Sequence, residues 1–145
     1  MDWAQMRQRC PSARFVGVAI LRDHRRAFTR RSINRGCGVA AALPAVGQEL
    51  WGTVFEMSDD DLAALDKSEG CQAGRDKNSY WRRECEVYRG GVDQPPISVA
   101  TYFADRQPDP PLPNRAYTGL ILSGARRWNL PKLYTDQLGR IECSP

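Results

Sequence analysis

The pattern of apolar and polar positions changes period several times along the chain. Period-two alternation and short apolar runs rich in β-branched or aromatic residues are typical of strands. By this pattern we predict five or more strands, at residues 13–21, 26–30, 38–43, 49–57, 79–91 and 97–104. The charged segment RDHR is predicted to form a turn between the first two strands, and Pro44 and Gly47 are predicted to end the third.

The period changes to three or four residues in the segment SDDDLAALD, which predicts a helix inserted after the strand at 49–57. Ser58 suits the N-cap, and three aspartates that follow it complement the positive end of the helix dipole. A further short helix is predicted at residues 2–9. It is expected to stop there because Pro11 disfavours helical geometry in the residue before it.

Two helices are predicted at the end of the chain, after the proline-rich segment 105–114, which favours a stiff, extended connector. The first helix is indicated by a stripe of residues spaced three or four apart: Tyr117, Leu120, Ile121 and Gly124. Pro131 suits the first residue of the second helix, in which Tyr134 and Leu138 are four positions apart.

These elements predict the α+β class, because many strands occur without regularly alternating helices. We expect a small, mostly antiparallel β-barrel or curled sheet with one inserted helix and two C-terminal helices. A chain of 145 residues, 41% of them apolar and 26% charged, suits one globular domain over residues 1–145.

The formal net charge of +4 includes a basic run at residues 22–35 that could contact phosphate. No zinc-finger, RRM or helix-turn-helix pattern accompanies this run, so a solvated strand or turn is favoured over nucleic-acid binding. A basic nucleic-acid-binding domain is nevertheless kept as a third hypothesis.

The chain has no apolar run long enough to span a bilayer and no secretory h-region after Met1, which predicts a cytoplasmic protein without a membrane partner. Five cysteines without a CxxC pair indicate reduced, mostly buried thiols. The single histidine, His24, is expected to be exposed, and one histidine disfavours Ser-His or Cys-His catalysis and multi-histidine metal sites. Carboxylates are therefore the expected proton carriers, with no metal and no cofactor.

One carboxylate stands in an unusual position: Glu69 lies directly before Gly70 at the end of the segment LAALDKSEG. A glutamate at a helix end is commonly a solvated charge, but it can also be a catalytic acid presented at a cleft. By residue type alone both interpretations stay open. Tyr117 is likewise a core or boundary residue by default.

Several segments together resemble the gamma-glutamylcyclotransferase family, a barrel-like α+β fold. They occur in the family's order and cover most of the chain: RCPSA (9–13), WGTVFEMSDDDLAALDKSEG (51–70), the tyrosine strand from Tyr80, TYFA (101–104), PNRAYTGLILSGA (113–125) and LPKLY (130–134).

The resemblance implies a role for two residues. The glutamate of the family's LDxxEG segment is the catalytic acid/base, which falls on Glu69, and the tyrosine after the proline-rich arm lines the substrate pocket, which falls on Tyr117. Gly70 would let the chain turn away and leave the Glu69 carboxylate facing that pocket. Asp66 is expected to be structural, and Tyr80 and Tyr102 are expected to be ordinary strand residues outside the site.

Family members also carry a YGSN sequence at the end of a first strand, directly before the position that Met1 matches. The resemblance therefore implies a sheet whose first strand is missing from this sequence. This feature motivates a second hypothesis, a noncatalytic member of the same fold that binds a small molecule or, through an open sheet edge, a protein.

The reaction that the resemblance implies converts a γ-glutamyl compound into 5-oxoproline and a free amine, as in glutathione metabolism. It needs a small γ-glutamyl substrate and no cofactor. Glutathione-derived, dipeptide and γ-glutamyl-lysine substrates all fit it, and no sequence pattern indicates an oligomeric state.

Overall fold

The computed structural model describes residues 2–90 and 93–144. Within these residues, four strands form one antiparallel sheet in the order β2-β1-β3-β4. The strands are β1 (Arg14–Ser32), β2 (Cys37–Glu56), β3 (Trp81–Arg89) and β4 (Ile97–Phe103). The helices are α1 (Trp3–Arg9), α2 (Asp59–Glu69), α3 (Arg115–Arg127) and α4 (Lys132–Gly139).

The α+β class is confirmed, and the sheet is open rather than closed into a barrel. Strands β2 and β4 form its two edges but approach each other, as they do when a sheet curls. The inserted helix and the two C-terminal helices are found where they were predicted. Of the two predicted alternatives, a β-barrel and a curled sheet, the structure shows the curled sheet.

The predicted number of strands was wrong, because two pairs of predicted strands are continuous. Strand β1 passes through the predicted turn as a bulge between Arg22 and His24, with Asp23 at a φ of 55°. The Asp23 carboxylate accepts a hydrogen bond of 2.8 Å from the Gly47 N–H. Pro44 does not end β2, since an edge strand can leave one side of its backbone unpaired.

Strands β1 and β2 form a long hairpin, whose tip is residues 33–36, and they pair along nearly their whole length. Near this tip the proline-rich arm packs against β2: the Gly38 N–H donates to the Leu112 carbonyl at 3.0 Å. A Cβ atom at Gly38 would overlap the carbonyl oxygen of Pro111, so this close approach requires glycine.

The start of α2 follows the predicted capping chemistry, whereas the start of α4 differs from the prediction by one residue. The Ser58 side chain accepts a hydrogen bond of 3.3 Å from the Asp61 N–H at the start of α2. Pro131 precedes α4 as its N-cap rather than forming its first residue. Tyr134 and Leu138 both pack into the cluster that joins α3 and α4 to the sheet.

Buried side chains of the described residues form two hydrophobic clusters. One joins α1 and α2 through buried Cys10, Ala13 and Leu65, and the other lies under α3 and α4. Burial of the cysteines was predicted too broadly, because Cys10 and Cys37 are buried whereas the other three are half-buried. His24 was expected to be exposed but is half-buried, with its ring 5.6 Å from that of Phe103.

Candidate active site

A cavity of about 1170 Å³ opens where the tip of the β1/β2 hairpin meets the end of α2. The start of β3, the end of β4, the proline-rich arm and the first turn of α3 complete its walls. Both residues that the sequence assigned to a site, Glu69 and Tyr117, line this cavity.

Glu69 is the last residue of α2, and its side chain is 24% exposed. The helix ends there because Gly70 adopts the left-handed conformation, with a φ of 66°. A Cβ atom at this position would also lie 2.9 Å from the Ser79 Cβ. The turn at Gly70 therefore directs the following chain past Ser79 and leaves Glu69 at the cavity wall.

The Glu69 carboxylate is ion-paired with α1. Nη1 of Arg9 donates to Oε1 of Glu69 at 3.0 Å, and the Arg9 side chain is 42% exposed. Within residues 2–90 and 93–144, no hydrogen bond reaches the other carboxylate oxygen of Glu69. Arg9 thus fixes one oxygen of the carboxylate, and the other oxygen accepts no hydrogen bond from the described residues.

Tyr117 projects from the first turn of α3, where the Asn114 side chain caps the helix by accepting a hydrogen bond of 2.9 Å from the Tyr117 N–H. Its hydroxyl oxygen accepts a hydrogen bond of 3.2 Å from the Ala40 N–H. Arg35 lies over its ring, 4.8 Å from the centroid. Burial is the largest cause of the raised pKa of Tyr117, and the negative charge of Glu69 contributes in the same direction.

Tyr80, directly before β3, contacts the same residue of β2 as Tyr117 does. Its hydroxyl donates a hydrogen bond of 3.2 Å to the Ala40 carbonyl. Burial, followed by the neighbouring Tyr117 and Glu69, raises the pKa of Tyr80 to about 12, although Arg30 and Arg35 act in the opposite direction. At neutral pH its hydroxyl is therefore a hydrogen-bond donor.

Asp66 fixes the end of α2 against the sheet. Its carboxylate accepts hydrogen bonds from the Tyr102 hydroxyl at 2.6 Å and from the Arg82 guanidinium at 2.8 Å. Burial and the hydrogen bond to Asp66 both raise the pKa of Tyr102. Asp66 lies about one helical turn before Glu69, so this network fixes the position of the last turn of α2 relative to β3 and β4.

A second cavity of about 380 Å³ adjoins the first beneath α1. The two cavities share six lining residues: Arg9, Arg35, Glu69, Thr101, Tyr102 and Tyr117. The smaller cavity is otherwise lined largely by apolar side chains, including Met6, Phe55, Leu65 and Ile121. Glu69 and Tyr117 therefore stand at the boundary between a mostly apolar space and a larger, strongly charged one.

Sequence reasoning placed Tyr80 and Tyr102 outside the site, yet both line the larger cavity. It also treated the basic run as a solvated face, whereas Arg30, Arg31 and Arg35 line the cavity wall. One sequence signal could have identified these tyrosines, because each lies near the end of a predicted strand. In the structure, those strand ends lie near the tip of the hairpin.

In residues 2–90 and 93–144, no three histidine, cysteine, aspartate or glutamate side chains are arranged to hold a metal ion. None of the helices in that same part of the chain is long and apolar enough to cross a bilayer.

Comparison with known proteins identifies the class of this fold and site. The profile of the AIG2-like family matches residues 49–138. The chain is 31% identical over 139 residues to a Bos taurus protein named gamma-glutamylcyclotransferase, covering 92% of this chain and 70% of the relative. The Homo sapiens protein of the same name is 30% identical over 138 residues, with the same coverage.

The structural comparison agrees. A solved structure titled gamma-glutamyl cyclotransferase superposes with a TM-score of 0.87 at 28% identity, covering 97% of this chain and 82% of that one. The chain therefore belongs to the gamma-glutamylcyclotransferase-like family, and the resemblance found in the sequence is confirmed.

Proposed function

We propose that this protein is a gamma-glutamylcyclotransferase that releases 5-oxoproline and a free amine from a γ-glutamyl compound. The observation that best supports the proposal is the pairing of Glu69 and Tyr117 in one cavity, at the end of a helix that Gly70 and Asp66 fix in place. The names of the relatives at about 30% identity agree with this reaction class.

The reaction closes a five-membered ring within the substrate. The α-nitrogen of the γ-glutamyl group attacks its own γ-carbonyl carbon, a C–N bond forms, and the C–N bond to the leaving amine breaks. Counted from the substrate ammonium to the released ammonium, two protons leave the attacking nitrogen and two reach the departing nitrogen. No external nucleophile, oxidant or reductant is needed.

Glu69 is proposed to carry these protons between the two nitrogens. A positioned carboxylate that serves first as base and then as acid contributes about 10²–10⁴-fold in rate in comparable reactions. The Glu69 oxygen that Arg9 does not contact would receive the proton, while Arg9 holds the other oxygen and fixes the side-chain rotamer. Arg9 is thus a positioning residue in this mechanism.

Tyr117 is proposed to bind the γ-glutamyl group and hold it in the folded conformation that cyclisation needs. Orientation of this kind can supply about 7–11 kcal/mol of the barrier reduction when the attacking and attacked atoms are held in contact. The tyrosine suits the role because Ala40 and Arg35 fix both its hydroxyl and its ring.

The product formed from γ-glutamyl-alanine tests the proposal. We expect 5-oxoproline and alanine in equal amounts, and no reaction with α-glutamyl-alanine, because attack on an α-carbonyl by the α-nitrogen would require a three-membered ring. Release of glutamate instead of 5-oxoproline would indicate hydrolysis and contradict the proposal. Binding of the γ-glutamyl peptide without any turnover would favour the noncatalytic hypothesis.

A further inference from the structure

The larger cavity carries more positive than negative charge. Five cationic side chains line it: Arg9, Arg30, Arg31, Arg35 and Lys67. Two carboxylates line it, Glu69 and Asp109. Among the described residues, Arg9 is the one cation of this set that forms an ion pair with a carboxylate. Four cations therefore face the cavity without a carboxylate partner there.

Two of these cations are held in fixed orientations. Arg30 lies over the Tyr80 ring, 5.4 Å from its centroid, and donates a hydrogen bond to the Ser79 carbonyl. Arg35 lies over Tyr117 and donates to the Gln5 side chain at 2.8 Å. A guanidinium has five N–H donors, so each keeps donors for a ligand. Stacking on a ring also lowers the entropy lost when an arginine binds a carboxylate.

Arg31 and Lys67 are exposed, and within the described part of the chain no hydrogen bond or ion pair involves their charged groups. They lie on opposite elements, the hairpin and α2, and both line the same space. Their heads are thus available to a ligand that enters between these elements.

The cations are unevenly divided between the two cavities. Arg30, Arg31 and Lys67 line the larger cavity and are absent from the wall of the smaller one, whereas Glu69 and Tyr117 line both. A cavity of about 1170 Å³ also exceeds what a γ-glutamyl group alone would fill, because such volumes hold whole drug-sized ligands. With the γ-glutamyl group between Glu69 and Tyr117, the larger cavity, whose wall includes Arg30 and Arg31, offers space for the leaving amine.

We infer that the preferred substrate has an acidic leaving group. The released amine would be an amino acid or peptide with more than one carboxylate, bound by Arg30, Arg31 and Lys67. This inference rests on the proposed function for the placement of the γ-glutamyl group. An arginine fork recognises a carboxylate through two parallel hydrogen bonds, which a neutral amide cannot reproduce with the same strength. The cation cluster therefore distinguishes a side-chain carboxylate from its amide.

The test compares two peptides of nearly equal shape, γ-glutamyl-glutamate and γ-glutamyl-glutamine. Their dissociation constants for the Glu69→Gln protein are measured by titration calorimetry at low salt, so that turnover does not interfere. We expect γ-glutamyl-glutamate to bind about tenfold more tightly, as one charge-assisted hydrogen-bonded pair allows. Adding Arg31→Gln should reduce this preference to about threefold or less, since Arg31 is exposed and its replacement costs the fold little.

Arg25→Gln is the matched control, because Arg25 is an exposed arginine on the same strand that lines neither cavity. It should leave the tenfold preference unchanged. Equal reduction by Arg25→Gln and Arg31→Gln would mean a general effect of net charge and would contradict the inference.

The outcomes separate the inference from the proposed function. Equal affinity for the two peptides, or no binding of either, contradicts the acidic leaving group even if the unmodified protein converts γ-glutamyl-alanine to 5-oxoproline. A clear preference for γ-glutamyl-glutamate in a protein that converts no γ-glutamyl peptide supports the anion site and contradicts the cyclotransferase activity instead.

Discussion

The guanidinium of Arg9 donates a hydrogen bond of 3.0 Å to the carboxylate of Glu69, across 60 positions of sequence. The contact joins the end of α1 to the end of α2, two helices that also meet in the cluster of Cys10, Ala13 and Leu65. The side chain proposed to move protons is thus oriented by a helix that the two long strands β1 and β2 separate from α2 in sequence.

Replacing Arg9 by glutamine should lower turnover more than stability. The pair is partly exposed, so its loss should cost less than about 1 kcal/mol of unfolding free energy. The freed carboxylate would leave its productive rotamer, and kcat should fall about tenfold or more with little change in KM. Arg14→Gln is the control, since it removes the exposed Arg14–Glu56 pair, which lies outside both cavities. Equal kcat values for the two variants would show that Arg9 has no positioning role.

Alanine at Gly70 should destabilise the fold and reduce activity. The left-handed conformation costs a residue with a Cβ about 1–2 kcal/mol, and the new atom would press on Ser79. Gly119→Ala provides a comparison, because Gly119 lies in α3 with open space around it. It should be neutral or stabilising by about 0.5–1 kcal/mol. Chemical unfolding measures both, and an unchanged midpoint for Gly70→Ala would contradict the account of how α2 ends.

Phenylalanine at Tyr117 should affect both the fold and the substrate. The Ala40 N–H would lose its acceptor, which costs about 1 kcal/mol or more for a partly buried donor. If the ring and hydroxyl bind the γ-glutamyl group, KM should rise severalfold while the proton transfers assigned to Glu69 continue. Tyr88→Phe is the control, as Tyr88 is a half-buried strand tyrosine outside both cavities. A KM that moves equally in both variants would exclude Tyr117 from substrate binding.

The raised pKa of Tyr80 predicts a loss of stability at high pH. Burial, with Tyr117 and Glu69 nearby, raises the pKa of Tyr80 to about 12, against about 10 in the unfolded chain. The unfolded chain therefore releases this proton first as pH rises. The contribution is fully present below about pH 10 and is lost as pH approaches 12, at no more than about 1.4 kcal/mol per pH unit.

The measurement compares the unfolding free energies of the unmodified protein and Tyr80→Phe at about pH 9 and about pH 11. Tyr80→Phe should be the less stable at the lower pH, because it lacks the hydrogen bond to Ala40, and its stability should fall less between the two values. Parallel declines would contradict the assignment.

The fold was predictable wherever local chemistry decided it. The Ser58 cap, the glycine that ends α2 and the spacing of Tyr134 and Leu138 each have a local physical cause, and each element was found. The continuity of the long strands was not predictable in this way. Pro44 and the charged bulge at Asp23 resemble turn signals, and only the pairing of β1 with β2 carries the chain through them.

The site was predictable in part for a similar reason. Glu69 was singled out by its position before Gly70 and by the family resemblance, and Tyr117 by the resemblance alone. The arginines of the cavity were missed because a run of basic residues does not indicate which of its side chains face a cavity and which face solvent. Arg30 and Arg35 face the cavity through their stacking on Tyr80 and Tyr117, contacts between residues that are distant in sequence.

Conversion of γ-glutamyl-alanine by Glu69→Gln tests the central assignment most directly. The unmodified protein and Glu84→Gln are the comparisons, because Glu84 is an exposed glutamate on β3 that lines neither cavity. Glutamine keeps the size of the side chain and a hydrogen-bond acceptor for Arg9 but cannot accept and return a proton. The account predicts that 5-oxoproline release falls by about 10²-fold or more in Glu69→Gln, with a circular dichroism spectrum and unfolding midpoint close to those of the unmodified protein. Glu84→Gln should keep the turnover of the unmodified protein. Release by Glu69→Gln at the rate of the unmodified protein would contradict it.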